Sequence, residues 1–221
     1  MDHQHIDEGW AGFQFFGKMS ASISHEIKNA LATINETAGL LEDLAILVEK
    51  GKPLDLERLK ILAGRIMKQV QRADEIVKNM NKFAHSVDEA VKDVELGETL
   101  ELMLALSERF ASMRGVTLES KLPSDPIAIT TIPFFLNHLL WLCVDFAMSM
   151  VGQGKTIDLL TEDTENGTRI RFTRLEGLAG VKTDTFPTQR EKALLDALKA
   201  DLKVDVEAGE LVLVLSEDIN P

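Results

Sequence analysis

A histidine, an acid and an amide occur together in the segment SHEIKN, residues 24–29. The imidazole of His25 offers a nitrogen lone pair for proton transfer or for nucleophilic attack. Glu26 is adjacent and can accept a proton from the ring or orient it. Asn29 follows one helical turn later, where its amide can position a water or a phosphoryl oxygen. The segment therefore has the residue types that phosphoryl transfer requires.

A helix is predicted to carry these three residues, from near residue 10 to about residue 49. Apolar residues recur at helical spacing in one narrow stripe, formed by Ile23, Ile27, Ala30, Ile34, Ala38 and Leu41. At about 100° per residue, His25 and Asn29 lie about 200° and 240° from Ile23, on the face away from the stripe. His25 is thus expected in solvent, and an ordinary solvated helix face is the alternative interpretation.

A second helix is predicted after the segment GKPLD, residues 51–55, because glycine and proline end the first helix and Asp55 can cap the next. Its apolar stripe runs through Leu59, Leu62, Ile66, Val70, Ala73, Val77 and Met80. A short loop between two long helices predicts an antiparallel hairpin. Two helices cannot cover both stripes, so the pattern predicts a dimeric four-helix bundle. Residues 1–88 form this first predicted domain.

The pattern changes after residue 88, and residues 89–221 are predicted to form a separate α+β sandwich. Segments with β-branched residues and alternation predict strands, and two of them are joined across Asn166-Gly167 as a hairpin. An apolar helix begins at Pro133 and an amphipathic helix follows residue 187. Helices interleaved with hairpin-linked strands favour helices packed on one face of a mixed sheet.

Composition narrows the classes of function. The net charge is −12, and almost all of it lies after residue 88, where no basic patch is dense enough to hold a polyanion. Nucleic acid is therefore not expected as a partner. No apolar stretch reaches the length of a membrane span without interruption, and acidic residues stand near the start where a signal peptide has lysines. We expect a cytoplasmic protein.

The segment FGKMSASISHEIKNALATI resembles the phospho-acceptor box of two-component histidine kinases, S-H-E-[IL]-[KR]-N-P-L-x-x-I. The resemblance implies that His25 is phosphorylated on a ring nitrogen and that Glu26 is its acid/base partner. It also implies that Asn29 orients the water that dephosphorylates a response regulator. One departure is Ala30, where the family usually has proline, and its loss predicts a straighter helix.

The same resemblance implies that an ATP-binding α+β sandwich of the histidine kinase type follows the hairpin, but its motifs are degraded. In FLNHLLWLCVDFAMSM, Trp141 and Asp145 stand where the family has two asparagines that bind magnesium and phosphates. In RLEGLAGV, Leu175 replaces the aspartate that recognises adenine, while Gly177 survives. The loop before the last helix has no glycine. Three altered motifs together predict that nucleotide binding is lost while the fold remains.

These observations predict a histidine phosphotransferase of a two-component phosphorelay. It would relay phosphoryl groups between His25 and receiver-domain aspartates, with receiver dephosphorylation as a variant. Two alternatives stay open, and with them whether the chain is an enzyme: a divergent ATP-dependent histidine kinase that uses Asp145, and a non-catalytic pseudokinase that regulates a partner.

The expected partners are a response-regulator receiver domain, a second copy of the chain and a separate histidine kinase. No cofactor or metal site is expected in this chain. Magnesium would be held by the receiver, and ATP would bind only under the kinase alternative.

Overall fold

The computed structural model describes residues 3–123, 125–164, 167–180 and 186–219, with side chains from residue 9 onward. Two long helices precede a mixed arrangement of strands and helices. Contacts divide the chain into two compact units. The hairpin unit is Lys18–Lys82, and the α/β unit combines Met1–Gly17 with Phe83–Pro221. The sequence-based domains, 1–88 and 89–221, stay a prediction.

Two helices, α1 (His3–Glu49) and α2 (Leu56–Ala84), contribute the hairpin unit. They run antiparallel, as two ion pairs between them show. The residue that comes later on α1 pairs with the residue that comes earlier on α2. These pairs are Glu26 with Arg72 at 2.7 Å and Glu36 with Arg65 at 3.8 Å. The predicted antiparallel hairpin is therefore confirmed, and α1 continues without a break through Ala30.

The loop between the two helices lies at the predicted segment GKPLD, residues 51–55. Gly51 adopts a left-handed conformation with φ of +80°, which glycine tolerates without steric cost. The backbone N–H of Lys52 then donates to the carbonyl of Leu47 at 3.1 Å, and this closes the last turn of α1. The Asp55 carboxylate accepts from the backbone N–H of Arg58 at 2.9 Å, as expected of a residue that caps α2.

The α/β unit contains three further helices and seven strands within the described residues. In chain order they are β1 (Lys92–Glu95), α3 (Leu96–Arg114), β2 (Thr117–Lys121), β3 (Ala128–Thr131), α4 (Pro133–Met150), β4 (Thr156–Thr164), β5 (Gly167–Thr173), α5 (Gln189–Ala197), β6 (Asp201–Asp205) and β7 (Glu210–Leu215). The predicted α/β arrangement after the hairpin is confirmed, including the start of α4 at Pro133. The residues between β4 and β5, Glu165 and Asn166, lie outside the described residues.

The main sheet is mixed and has the strand order β2-β4-β5-β7-β6. Strands β2 and β4 are parallel, whereas the other neighbours are antiparallel. A second, two-stranded sheet pairs β1 with β3. Alternate residues of the central strands are almost fully buried, as the period of a strand with one covered face requires. They are Ile157, Leu159, Ile170, Phe172, Leu211, Leu213 and Leu215.

Helix α4 is the central element of the α/β unit, because 12 of its 18 residues are buried. It is also the one helix in the described residues that is long and apolar enough to cross a membrane, and 61% of it is buried inside the protein. A buried core helix of a water-soluble domain has these same properties. Its cysteine, Cys143, is fully buried, and burial raises the pKa of the thiol.

The first turns of α1 pack into the α/β unit through one aromatic side chain. Phe15 is 1% exposed. Its ring meets that of Phe83 edge to face at 5.4 Å and stacks on the imidazole of His138 at 4.6 Å. His138 lies on α4 and is 2% exposed. Burial, and secondarily the charge of Arg190, lowers the pKa of His138 from 6.5 to about 3.

The neutral His138 makes the stability of the α/β unit depend on pH. Below about pH 6.5 the unfolded chain binds a proton at this residue that the folded chain does not bind until about pH 3. As the pH is lowered from about 6.5 towards about 3, the free energy of unfolding should therefore fall by up to about 1.4 kcal/mol per pH unit. We expect the variant His138→Gln to lose less stability than wild type between about pH 7 and about pH 5 in urea titrations.

An identical loss of stability in wild type and His138→Gln would contradict the assignment of a neutral buried imidazole.

Candidate functional site

The three candidate residues of SHEIKN lie together on α1, within the hairpin unit. His25 and Asn29 are exposed, and Glu26 is partly covered, with 21% of its side chain accessible. Ala30, on the opposite face, is 2% exposed. The helical period therefore directs the imidazole to solvent and the small alanine to the buried stripe, as the sequence predicts.

The amide of Asn29 connects the other two side chains. Its Nδ2 lies 3.1 Å from Nδ1 of His25 and 3.4 Å from Oε1 of Glu26. An amide nitrogen has two hydrogens to donate, so it can serve both acceptors at once. The ring of His25 is thereby held through Nδ1, and its Nε2 forms no hydrogen bond with any residue that the structure describes.

Helix α2 adds a fourth side chain, Arg72. Its Nη2 donates to Oε2 of Glu26 at 2.7 Å. The guanidinium is half exposed, so it offsets the negative charge of Glu26 next to the imidazole. Sequence analysis did not identify Arg72, because it is 46 residues from Glu26 and no local pattern marks it. Only the packing of the hairpin brings the two side chains together.

The Asn29 amide determines which nitrogen of the neutral His25 ring carries the proton. When Nδ1 accepts from Asn29, the neutral ring carries its proton on Nε2. Attack by Nε2 needs that proton on Nδ1, with an acceptor opposite it. Rotation of the Asn29 amide by about 180° presents Oδ1 to Nδ1–H, because the two ends of an amide have nearly the same shape. Asn29 can therefore support either protonation state of the ring.

The positions that correspond to a nucleotide site lie in the α/β unit. Trp141 is 2% exposed and packs on Phe110, with ring centroids 4.8 Å apart. The indole thus contributes to the hydrophobic core. A phosphate or magnesium ion needs oxygen ligands or N–H donors, and the apolar ring face of Trp141 supplies neither.

Asp145, one turn after Trp141 on α4, is held by an arginine of the same unit. Nη2 of Arg114 lies 2.7 Å from Oδ1 of Asp145, and Nη1 donates to the Asp145 backbone carbonyl at 3.1 Å. Arg114 is the last residue of α3, so the packing of α3 on α4 creates this pair. The guanidinium thus engages one of the two carboxylate oxygens, Oδ1, and reduces the negative charge that this side chain could offer to a magnesium ion.

The remaining two positions follow β5, and both are explained by packing. Leu175 is fully buried, and its backbone N–H donates to the carbonyl of Gly209 at 2.9 Å. A Cβ atom on Gly177 would lie 2.9 Å from the backbone oxygen of Met150, which is closer than carbon and oxygen normally approach. Glycine at residue 177 is therefore required by the close approach of this segment to the end of α4.

The predicted residues thus form two separate groups. His25, Glu26 and Asn29 contact one another directly, together with Arg72. Trp141, Asp145, Leu175 and Gly177 contact core or neighbouring residues of the α/β unit instead. No cluster of three or more histidine, cysteine, aspartate or glutamate side chains suited to a metal ion occurs in the described part of the chain.

Residues 17–89 match the family described as His Kinase A (phospho-acceptor) domain. The matched segment contains SHEIKN and both long helices of the hairpin. Comparison with curated proteins gives no match.

Several solved structures are similar to this chain at low sequence identity. The Acinetobacter baumannii histidine kinase AdeS is 14% identical, covers 87% of this chain and 98% of its own, and has a TM-score of 0.49. A bacterial phosphotransferase is 14% identical, covers 94% and 95%, and has a TM-score of 0.47. The ATP-binding domain of PrrB from Mycobacterium tuberculosis is 18% identical, covers 58% and 98%, and has a TM-score of 0.45.

The Asn29 amide should determine which ring nitrogen of His25 carries the proton. In Asn29→Asp, a carboxylate replaces the donor, so the proton of the neutral ring should move from Nε2 to Nδ1. Nitrogen-15 chemical shifts of the imidazole at neutral pH report this tautomer directly. Asn35→Asp introduces the same charge on the same helix, six residues from Asn29, and should leave the tautomer unchanged. The same tautomer in wild type and Asn29→Asp would contradict the proposed contact.

Proposed function

We propose that this chain, which belongs through residues 17–89 to the two-component histidine kinase family, acts as a histidine phosphotransferase. It accepts a phosphoryl group on His25 from the aspartyl phosphate of a receiver domain and passes it to another receiver aspartate. The observation that carries the proposal is a contrast between two sets of side chains. His25 is exposed within a connected polar network, whereas Trp141 and Leu175, at the nucleotide-site positions, are buried in the core.

The transfer step is an in-line displacement at phosphorus. The lone pair of His25 Nε2 attacks the phosphoryl group, the new N–P bond forms, and the bond from phosphorus to the aspartyl oxygen breaks. The receiver aspartate leaves as a carboxylate. The proton on Nδ1 stays on the ring, where Oδ1 of the rotated Asn29 amide accepts its hydrogen bond. The return step is the same displacement in reverse.

Glu26 and Arg72 support this step through their charges. A phosphoryl group that approaches His25 brings negative charge close to the Glu26 carboxylate. The ion pair with Arg72 at 2.7 Å reduces the repulsion that this carboxylate would exert. Dephosphorylation of the receiver, with water oriented by Asn29, is a variant that uses the same surface.

We further propose that ATP is not the phosphoryl donor. Asp145 is engaged by Arg114, Trp141 is buried against Phe110, and the Leu175 side chain has no polar group that could hold adenine. The residues at these positions therefore do not fit a nucleotide site. Magnesium, held by the receiver, would neutralise charge on the transferred phosphoryl group.

The hairpin unit is proposed to dimerise, as the family implies. Large apolar side chains of α2 remain exposed on the single chain at helical spacing, including Leu56, Met67, Val70 and Val77. A second hairpin would cover this face and complete a four-helix bundle.

Transfer from a receiver should depend on His25. We expect a receiver domain labelled with radioactive acetyl phosphate to pass its label to wild type and to His85→Ala, and to pass none to His25→Ala. His85 is the matched control because its imidazole is also exposed. Two outcomes would overturn the phosphotransferase: equal labelling of His25→Ala, or tight receiver binding without any transfer. The second outcome would favour a non-catalytic regulator.

ATP binding separates the phosphotransferase from the divergent kinase. Calorimetric titration of wild type with ATP and magnesium should show no saturable heat, since the Asp145 carboxylate is already paired. Saturable binding that disappears in Asp145→Ala would establish a nucleotide site and favour the kinase instead.

A further inference from the structure

A large cavity lies in the α/β unit, apart from the nucleotide-site positions and from His25. Its volume is about 1030 Å³, which is the upper end of the range for small-molecule sites. Its wall is formed by the first turns of α1 and by helices α4 and α5. The apolar part of the wall includes Phe13, Phe16, Phe134, Phe135, Ala193 and Leu194.

Three polar side chains line this cavity, Gln189, His138 and Arg190, and the last two contact each other. Nη2 of Arg190 is 2.6 Å from Nε2 of His138. Because an arginine can only donate, the imidazole nitrogen accepts this hydrogen bond. The ring is fixed from its other side by stacking on Phe15. His138 therefore holds the guanidinium in one orientation without cancelling its charge.

The rest of the guanidinium has no acidic partner. Arg190 lines the cavity and is partly accessible, and no carboxylate of the described residues forms an ion pair with it. Its Nε is buried and cannot be reached from the cavity, so a ligand would meet the terminal Nη groups. An anionic group placed there would supply the counter-charge that the described residues do not. A carboxylate fits best, because its two oxygens match the paired N–H groups along the edge of a guanidinium.

We propose that this cavity binds a small amphipathic carboxylate, whose acid group pairs with Arg190 and whose apolar chain fills the space among the phenylalanines. A neutral apolar ligand leaves the charge of Arg190 without a counter-charge. A polyphosphate has more charge than one arginine can neutralise, and it would place that charge against aromatic rings. The proposal is independent of the phosphotransferase function, because none of His25, Glu26 and Asn29 lines the cavity.

Octanoate and its uncharged analogue octanol test the site in the full-length protein. We expect octanoate to bind saturably in calorimetry, at least about tenfold more tightly than octanol, because an ion-paired carboxylate gains charge-assisted hydrogen bonds. Arg190→Met keeps most of the side-chain volume and should abolish this preference. The matched control is Arg169→Met. It removes an exposed arginine of β5 whose Nη1 lies 3.7 Å from Oε2 of Glu162. This variant should bind octanoate as wild type does.

A second variant tests the cavity itself. Ala193 is partly accessible at the wall, so Ala193→Trp should fill the space and prevent binding of both ligands. If that variant fails to fold, NMR of the wild type tests whether octanoate enters the cavity. The signals of Phe134 and Leu194 should shift when octanoate is added.

Several results would overturn the proposal: no saturable binding of octanoate, equal affinity for octanoate and octanol, or an unchanged preference in Arg190→Met. Shifts confined to residues outside the cavity would also overturn it. Binding of an acidic amphipathic peptide in place of octanoate would assign the cavity to a protein partner instead.

Discussion

The burial of α4 is the constraint on which the α/β unit depends. An apolar helix has no solvent-exposed face of its own, so α3, α5 and the first turns of α1 must contact it, and the central strands must present an apolar face. Leu136, Leu139 and Leu140 on this helix are fully buried. A change in any buried side chain of α4 is consequently a change in the core, and core volume tolerates little alteration.

This constraint explains how a domain can keep a fold while its binding groups change. Trp141 occupies a position that the family resemblance assigns to a polar ligand, but on α4 that position also faces the core. Once a large aromatic side chain packs there against Phe110, the site becomes part of the hydrophobic interior. Gly177, in contrast, is the residue that the family has at its position. Packing alone requires it, because the backbone of Met150 leaves no space for a side chain there.

Much of the architecture could be predicted from local sequence. Helix ends follow Gly51 and Asp55, and strands follow alternation, because backbone conformation and burial act within a few residues. The contacts of Arg72 with Glu26 and of Arg114 with Asp145 could not be predicted. They join residues 46 and 31 positions apart, and long charged side chains show no periodicity that marks their partners. The contact-based grouping of Met1–Gly17 with the α/β unit likewise depends on tertiary packing.

The pair between Arg114 and Asp145 has a consequence for how such a protein can evolve. Replacing Trp141 alone with asparagine would leave a void in the core and an amide without partners, so the first step towards a nucleotide site is a loss of stability. Freeing Oδ1 of Asp145 requires a second change, in Arg114 on another helix. A nucleotide site of the kind that the family resemblance implies is therefore separated from this core by intermediates that are less stable.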